Sequence, residues 1–216
     1  MRARQTARVD TFAEIADERR GLADLLAGLT TEQRAAQSLC SEWSVLDVIA
    51  HLVVPLQVSI PRFALTMLVC GGNFDRANTR LARQQARRPY DHLIDTLRRR
   101  AESRFTPPGA GPEAPLTDLL VHGRDICWPL GLTHRVPAER WRTSLTYLAG
   151  TSPRSFVGPG SLEGLELRAT DVDWSYGRGA IVSGVADALL LAMTGRPAGL
   201  DHLQGEGVET LRGRMA

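Results

Sequence analysis

The sequence contains no lysine, so its 26 basic residues are all arginine, and 24 acidic residues leave a formal charge of only +2. Because the arginines are interleaved with acidic residues, there is no concentrated basic block of the kind that binds nucleic acid. The triplet at residues 98–100 is interpreted as the solvated face of a helix, with an anion site as the alternative. The arginine bias indicates a GC-rich genome.

Cysteine is also scarce, and the three residues form no C-x-x-C pair, which argues against a disulfide framework or a zinc knuckle. No run approaches the roughly 18 apolar residues of a membrane span, and the N-terminus lacks the apolar region of a signal peptide. G-x-S-x-G, P-loop and G-x-G-x-x-G motifs are missing, which excludes common hydrolase, kinase and dinucleotide-binding signatures. A cytoplasmic protein without membrane or nucleic-acid partners is expected.

The chain nevertheless has the length and composition of a folded protein: 216 residues, 43% hydrophobic. Residues 1–150 carry apolar side chains mostly at helical spacing and are predicted to form one helical domain. After Gly150 the composition shifts to Ser, Pro and Gly, followed by an alternating LELRATD stretch and a short apolar helix. Residues 151–216 are therefore predicted to form a small α+β domain.

Two stretches repeat one pattern: DVIAH at residues 47–51 and DLLVH at residues 118–122. Each places a carboxylate and an imidazole on one helix face, in apolar surroundings where such groups need hydrogen bonds or a metal. Asp118 and His122, joined by His51 from a neighbouring helix, would leave one coordination position open, as in catalytic zinc sites. Nickel, iron or manganese would also suit these ligands, and the alternative is a pair of satisfied core polar groups.

The other carboxylate, Asp47, stands three residues after Ser44, the spacing of a capping box. It is predicted to serve the helix start or, failing that, to orient His51 through a hydrogen bond. Trp43 and Trp128 flank the two motif helices and are expected to be wedges in the core.

The other three histidines and two of the cysteines are weaker candidates for the site. His92 is the reserve ligand, while His134 and His202 are expected to be solvated. Cys40 and Cys127 could approach the site or act as nucleophiles, and the alternative is that both are small buried hydrophobic residues.

Beyond the ligands, the motifs resemble a known family. LCSEWSVLDVIAHLV is similar to the "L…GW…D…HL" signature of the mycothiol-dependent maleylpyruvate isomerase family, part of the DinB-like superfamily. LTDLLVHGRDICWPLG resembles its E/D-x-x-x-H-x-x-D helix, and LRATDVDWSYGRG with VSGVADALLLAMTGR resembles its C-terminal domain. The resemblance implies a mainly α protein, in which a DinB-like four-helix bundle precedes a small sterol-carrier-like α+β domain.

The resemblance also implies a divalent metal, usually zinc, held by His51, Asp118 and His122, with Asp125 supporting the ligands from behind. Its chemistry would use mycothiol, an actinobacterial thiol, as cosubstrate and a small-molecule electrophile as substrate, in an isomerase or S-transferase reaction. The alternative is a non-catalytic protein that binds metal or a small ligand. A monomer or homodimer is expected.

One arginine is predicted to complete the site from the C-terminal domain. Arg196 follows the apolar helix that ends near Gly195, and its guanidinium fork could pair with a carboxylate of the substrate or thiol. The alternative is a solvated arginine at a helix C-terminus, where basic residues are favoured. Arg168 and Arg178 are weaker candidates for this role.

Overall fold

A computed structural model describes residues 10–150 and 161–215 of the chain. Its first part is helical throughout, as predicted from the spacing of apolar residues. The helices are α1 (Thr11–Leu26), α2 (Thr31–Ala35), α3 (Val45–Gln57), α4 (Ile60–Val69), α5 (Phe74–Ala86), α6 (Tyr90–Arg99), α7 (Glu113–Cys127) and α8 (Ala138–Ala149).

Four of these helices, α1, α3, α6 and α7, pack around one hydrophobic core and form the predicted bundle. The core is filled by aliphatic side chains, among them Ile15, Ile49, Leu93 and Leu116, all fully buried. Helices α3 and α7 are neighbours in this bundle, so residues on their facing sides lie close together.

Helix α3 ends slightly later than the sequence predicted. The sequence pattern predicts a helix that starts at about Val45 and ends where it meets Pro55, but α3 continues to Gln57 with Pro55 in its last turns. Proline has no N–H to donate to the carbonyl four residues earlier, which belongs to His51. The helix tolerates this loss near its end, so His51 stays in the middle of a continuous apolar helix.

The C-terminal part forms a four-stranded sheet in the order β2-β1-β3-β4, packed against helix α9. Strand β1 pairs in parallel with β3, and the two other pairings are antiparallel. The segment at 165–169 is a strand and the apolar segment after Gly184 is a helix, as predicted. The elements are β1 (Leu165–Ala169), β2 (Ser175–Gly177), β3 (Ala180–Gly184), α9 (Ala186–Met193), β4 (Leu203–Gln204) and α10 (Val208–Gly213).

Helix α7 connects the two parts, because its opposite faces enter different cores. Leu116 and Ile126 belong to the bundle core, whereas Leu120 and Val121 pack with α8, α9 and the sheet. The mainly α fold with a small α+β C-terminal part is thereby confirmed. The domain boundary predicted after Gly150 adjoins residues 151–160, which lie outside the described residues, and it stays a prediction.

Within the described ranges, every helix is too short or too polar to cross a bilayer.

Candidate metal centre

Helix α3 is fixed at its start by the capping box that the sequence predicted. The Ser44 hydroxyl accepts a hydrogen bond from the Asp47 backbone N–H at 3.2 Å, and the Asp47 carboxylate accepts from the Ser44 N–H at 3.1 Å. Asp47 also accepts from the Ser44 hydroxyl at 2.7 Å. The predicted role at the helix start is confirmed, and the Nδ1 of His51 has no hydrogen-bond partner among the described residues.

Helix α7 begins at Glu113, three residues before Leu116, where the apolar pattern of the sequence predicts its start. Asp118 therefore lies in the second turn and not the first, beyond the part of the helix where a carboxylate serves as a cap. Four residues further on, His122 lies on the same face as Asp118. The position of the helix start thus frees Asp118 to face α3.

The structure brings His51, Asp118 and His122 together. The Oδ1 atom of Asp118 lies 3.7 Å from Nε2 of His51 and 3.5 Å from Nε2 of His122. One ligand atom from each residue falls within 4.8 Å of the others, and both histidines are buried. Two imidazoles and one carboxylate therefore surround one small volume between α3 and α7.

A second layer of polar contacts lies behind His122. The Nδ1 atom of His122 is 2.8 Å from Oδ2 of Asp125, which is fully buried. Arg196 donates two hydrogen bonds to the same carboxylate, from Nε at 3.0 Å and from Nη2 at 2.8 Å. The row His122–Asp125–Arg196 fixes the imidazole ring and directs its Nε2 toward Asp118.

This arrangement differs from the one predicted for Arg196, whose fork was expected to pair with a substrate carboxylate. The fork is engaged by the protein's own Asp125, and Nη1 donates to the Thr194 carbonyl at 2.6 Å. Arg168, a weaker candidate, pairs with Glu166 on the sheet. Asp125 was expected behind the ligands, but no pattern in the sequence connects it with Arg196.

Cys40 reaches the same row, which the sequence left open. Its thiol donates to Oδ2 of Asp125 at 3.0 Å, and its sulfur lies 3.6 Å from Nη2 of Arg196. Cys40, His122 and Asp125 form a second group whose ligand atoms lie close enough to hold an ion. Cys127 by contrast is buried, and burial raises the pKa of its thiol to about 11, so its interpretation as a small hydrophobic residue is confirmed.

Burial and charge pull the pKa values of the site in opposite directions. Burial disfavours a charged His122, but Asp118 and Asp125 outweigh it and raise the pKa of His122 to about 10. Burial also opposes ionisation of Asp118, yet His122, His51 and Arg196 lower its pKa. Against the same burial, His122 and Arg196 hold the pKa of Asp125 well below its usual value. The two carboxylates thus stabilise a positive charge beside them, in this case the protonated imidazole of His122.

Trp43 forms a wall beside the two imidazoles. Its ring centroid lies 5.0 Å from that of His51 and 6.2 Å from that of His122. The indole was expected to be a core wedge, and it does pack against the bundle core while only half buried. It covers the histidines from the loop that precedes α3.

The remaining histidines lie outside the cluster. His92, the reserve ligand, contacts the Gln57 side chain. His134 was expected to be solvated, but it is largely buried, with Nε2 at 2.6 Å from Oε1 of Glu18. That prediction was wrong because Glu18 is distant in sequence and no local pattern indicates the pair. His202 is exposed and packs edge-on against Trp128.

The fold and this cluster define a class of protein: a helical bundle with a two-histidine, one-carboxylate centre and a small α+β C-terminal part. Residues 15–104 match the family model of the mycothiol maleylpyruvate isomerase N-terminal domain. The resemblance to the mycothiol-dependent maleylpyruvate isomerase family, predicted from the motifs, is thereby confirmed over these N-terminal residues.

The fold of the chain agrees with this resemblance. Two crystal structures of the mycothiol-dependent maleylpyruvate isomerase, one of a mutant with a histidine replaced by alanine, align with a TM-score of 0.59. Each alignment covers 91% of this chain and 92% of the isomerase chain at 14% identity. At that identity the likeness shows the fold alone. No curated protein matches the sequence significantly.

Proposed function

We propose that the protein is a thiol-dependent metalloenzyme, an isomerase or an S-transferase, in which His51, Asp118 and His122 hold a divalent ion. The observation that carries the proposal is the approach of the two Nε2 atoms to a single carboxylate oxygen between α3 and α7. Zinc is the proposed metal because two histidines and one carboxylate are a usual set for catalytic zinc.

The spacing of the donor atoms supports this ion. Two ligand atoms that each lie about 2.1 Å from a tetrahedral ion are about 3.4 Å apart. The observed separations of 3.5 and 3.7 Å from Asp118 to the two histidines are close to that value. Three protein ligands would leave the fourth coordination position of the ion open. A thiol that binds the ion at this position would have its pKa lowered toward neutrality.

The surrounding residues prepare His51 and His122 for this role. Asp125 accepts the Nδ1 proton of His122, which leaves the Nε2 lone pair for the metal, and Arg196 holds Asp125 in place. Trp43 covers both rings and limits the access of water. The chain itself thus orients the ligands and excludes solvent, while the nucleophile comes from the added thiol.

Mycothiol is the proposed thiol, because the family model and the isomerase structures carry that thiol in their names. A small electrophile with an activated double bond or a leaving group is the proposed second substrate.

For Arg196 we propose two roles: it holds Asp125 in place, and it donates a hydrogen bond to a bound ligand. Four of its five N–H groups contact Asp125, Thr194 and Cys40, and the remaining one can donate to a bound ligand.

The test is elemental analysis of the purified protein, followed by thiol titration of the cobalt-substituted form. We expect close to one equivalent of metal per chain and thiolate-to-cobalt absorption bands that saturate with mycothiol. Metal without thiol bands would favour the non-catalytic alternative. A wild-type protein that binds neither zinc nor cobalt would contradict the proposal altogether.

A further inference from the structure

A cleft of about 910 Å³ separates helices α4 and α5, which are joined by the turn at residues 70–73. Its two walls differ in chemistry. Helix α4 contributes Leu65 and Val69 beside Arg62, whereas α5 and the residue that follows it contribute four arginines. The volume lies within the roughly 300–1,000 Å³ typical of small-molecule sites. The metal centre does not use this cleft, since none of its ligands lines it.

The arginines of this cleft are close together and have no partners among the described residues. Five line it: Arg62, Arg76, Arg80, Arg83 and Arg87. The last four recur at intervals of four, three and four residues, which places them on one helix face. Their guanidinium groups make no hydrogen bond or ion pair with any residue in 10–150 or 161–215. Glu42 and Asp75 also line the cleft, which leaves an excess of three positive charges.

The interior arginines behave differently. Arg19 donates to backbone carbonyls, Arg140 pairs with Glu18, and Arg196 pairs with Asp125. In those places the protein supplies the acceptors. In the cleft it collects the donors and supplies few acceptors, so the complementary anion has to come from a ligand.

The apolar wall is equally unpartnered. None of the residues of α4 is buried, and Leu65, Leu68 and Val69 are 61%, 78% and 61% exposed. A contiguous apolar surface of this kind marks an interaction site. A second copy of the chain is disfavoured as its occupant, because a two-fold interface would bring one set of arginines against the other.

We propose that this cleft binds a small amphiphilic anion, a carboxylate or phosphate group on an aliphatic body. The anionic group pairs with the row centred on Arg80 and Arg83, and the aliphatic body covers Leu65 and Val69. A concave site suits such a molecule better than it suits a flat membrane surface. The proposal is independent of the thiol chemistry proposed for the metal centre.

The test uses decanoate as the probe, titrated calorimetrically into the full-length protein. We expect decanoate to bind at one saturable site. The affinity should be at least about tenfold lower for acetate, which lacks the aliphatic chain, and for octyl glucoside, which lacks the charge. The variant Arg80→Glu/Arg83→Glu should weaken decanoate binding by at least about tenfold. Glutamate is a good helix former, so α5 should remain folded.

The matched control is Arg135→Glu/Arg178→Glu, which reverses two exposed, unpaired arginines outside the cleft. It should bind decanoate as the wild type does. Equal loss in both double variants would overturn the proposal, because the effect would then follow net charge alone. Binding to vesicles of phosphatidylglycerol without binding of free decanoate would assign the surface to membranes instead. A dimer that is dispersed by Leu68→Ser, with no decanoate binding, would assign it to a second copy.

Discussion

Helices α3 and α7 carry the same five-residue pattern, yet their aspartates have different surroundings. Asp47 is the third residue of α3 and bonds back to Ser44 at the helix start. Asp118 is the sixth residue of α7 and lies beside both histidines of the cluster. The distance of the aspartate from the helix start accounts for this difference.

The comparison separates what the four-residue spacing determines from what the position in the helix determines. A separation of four residues puts carboxylate and imidazole on one side of a helix, in both motifs. Whether the carboxylate then serves the helix or the site depends on free backbone N–H groups, which exist only in the first turn. Asp47 lies within their reach, and Asp118 does not. The two motifs are therefore a matched pair for experiments.

The largest effect is expected from Asp118→Asn. The amide removes the negative charge between two imidazoles and leaves a poorer ligand. Zinc affinity should fall by more than the roughly 10–100-fold that loss of a supporting hydrogen bond costs. Competition with a chromogenic chelator measures it. The control is Asp47→Asn, the same change in the other motif, and an equal loss there would refute the distinction between the two aspartates.

The affinity for zinc should depend on pH, because zinc and a proton compete for His122. The carboxylates beside His122 raise its pKa to about 10, so the metal-free protein holds a proton there that zinc must displace. Apparent affinity should therefore rise with pH by about tenfold per unit for this one proton below pH 10. In Asp118→Asn the rise should level off at lower pH, since the main charge that raises this pKa is gone. A pH-independent affinity in wild type would contradict the prediction.

Asp125→Asn should have an intermediate effect. The amide keeps the shape of the side chain but removes its negative charge. The hydrogen bond from Nδ1 of His122 is therefore weaker, and the ion pair with Arg196 is lost. Zinc affinity should fall by about 10–100-fold. Arg196→Lys, which keeps the charge but not the two-bond fork, should fall between wild type and Asp125→Asn. If both variants bind zinc as the wild type does, the row behind His122 has no role in orienting it.

Much of the fold could be predicted from the sequence, because helix periodicity and capping are local. The apolar spacing in α1, the Ser44–Asp47 pair and Gly195 after α9 each identify an element boundary without reference to the rest of the chain. The end of α3 was less accessible, since the helix continues past Pro55 to Gln57 although proline removes one of its hydrogen bonds. The start of α7 was missed for a related reason: its first turn contains Pro115 and little apolar periodicity.

The meeting of His51, Asp118 and His122 was predicted from two local patterns and the assumption that their helices are neighbours. The contacts behind the cluster were not. Arg196 is 71 residues from Asp125, and Cys40 is 85 residues from it, so no spacing rule connects them. Such contacts depend on how the C-terminal part packs on α7, which a single sequence does not encode in any short window.

The smallest effect is expected from Asp47→Ala, and it concerns stability instead of metal. The change leaves the Ser44 N–H without its acceptor and removes a negative charge from the positive end of α3. The free energy of unfolding of the metal-free protein should fall by about 1 kcal/mol, measured by urea denaturation. Zinc affinity should stay unchanged, because Val48 and Ile49 are fully buried and keep the His51 turn packed in the core. A loss of zinc without a loss of stability would mean that Asp47 acts on His51 and not on the helix, and the two motifs would then be alike.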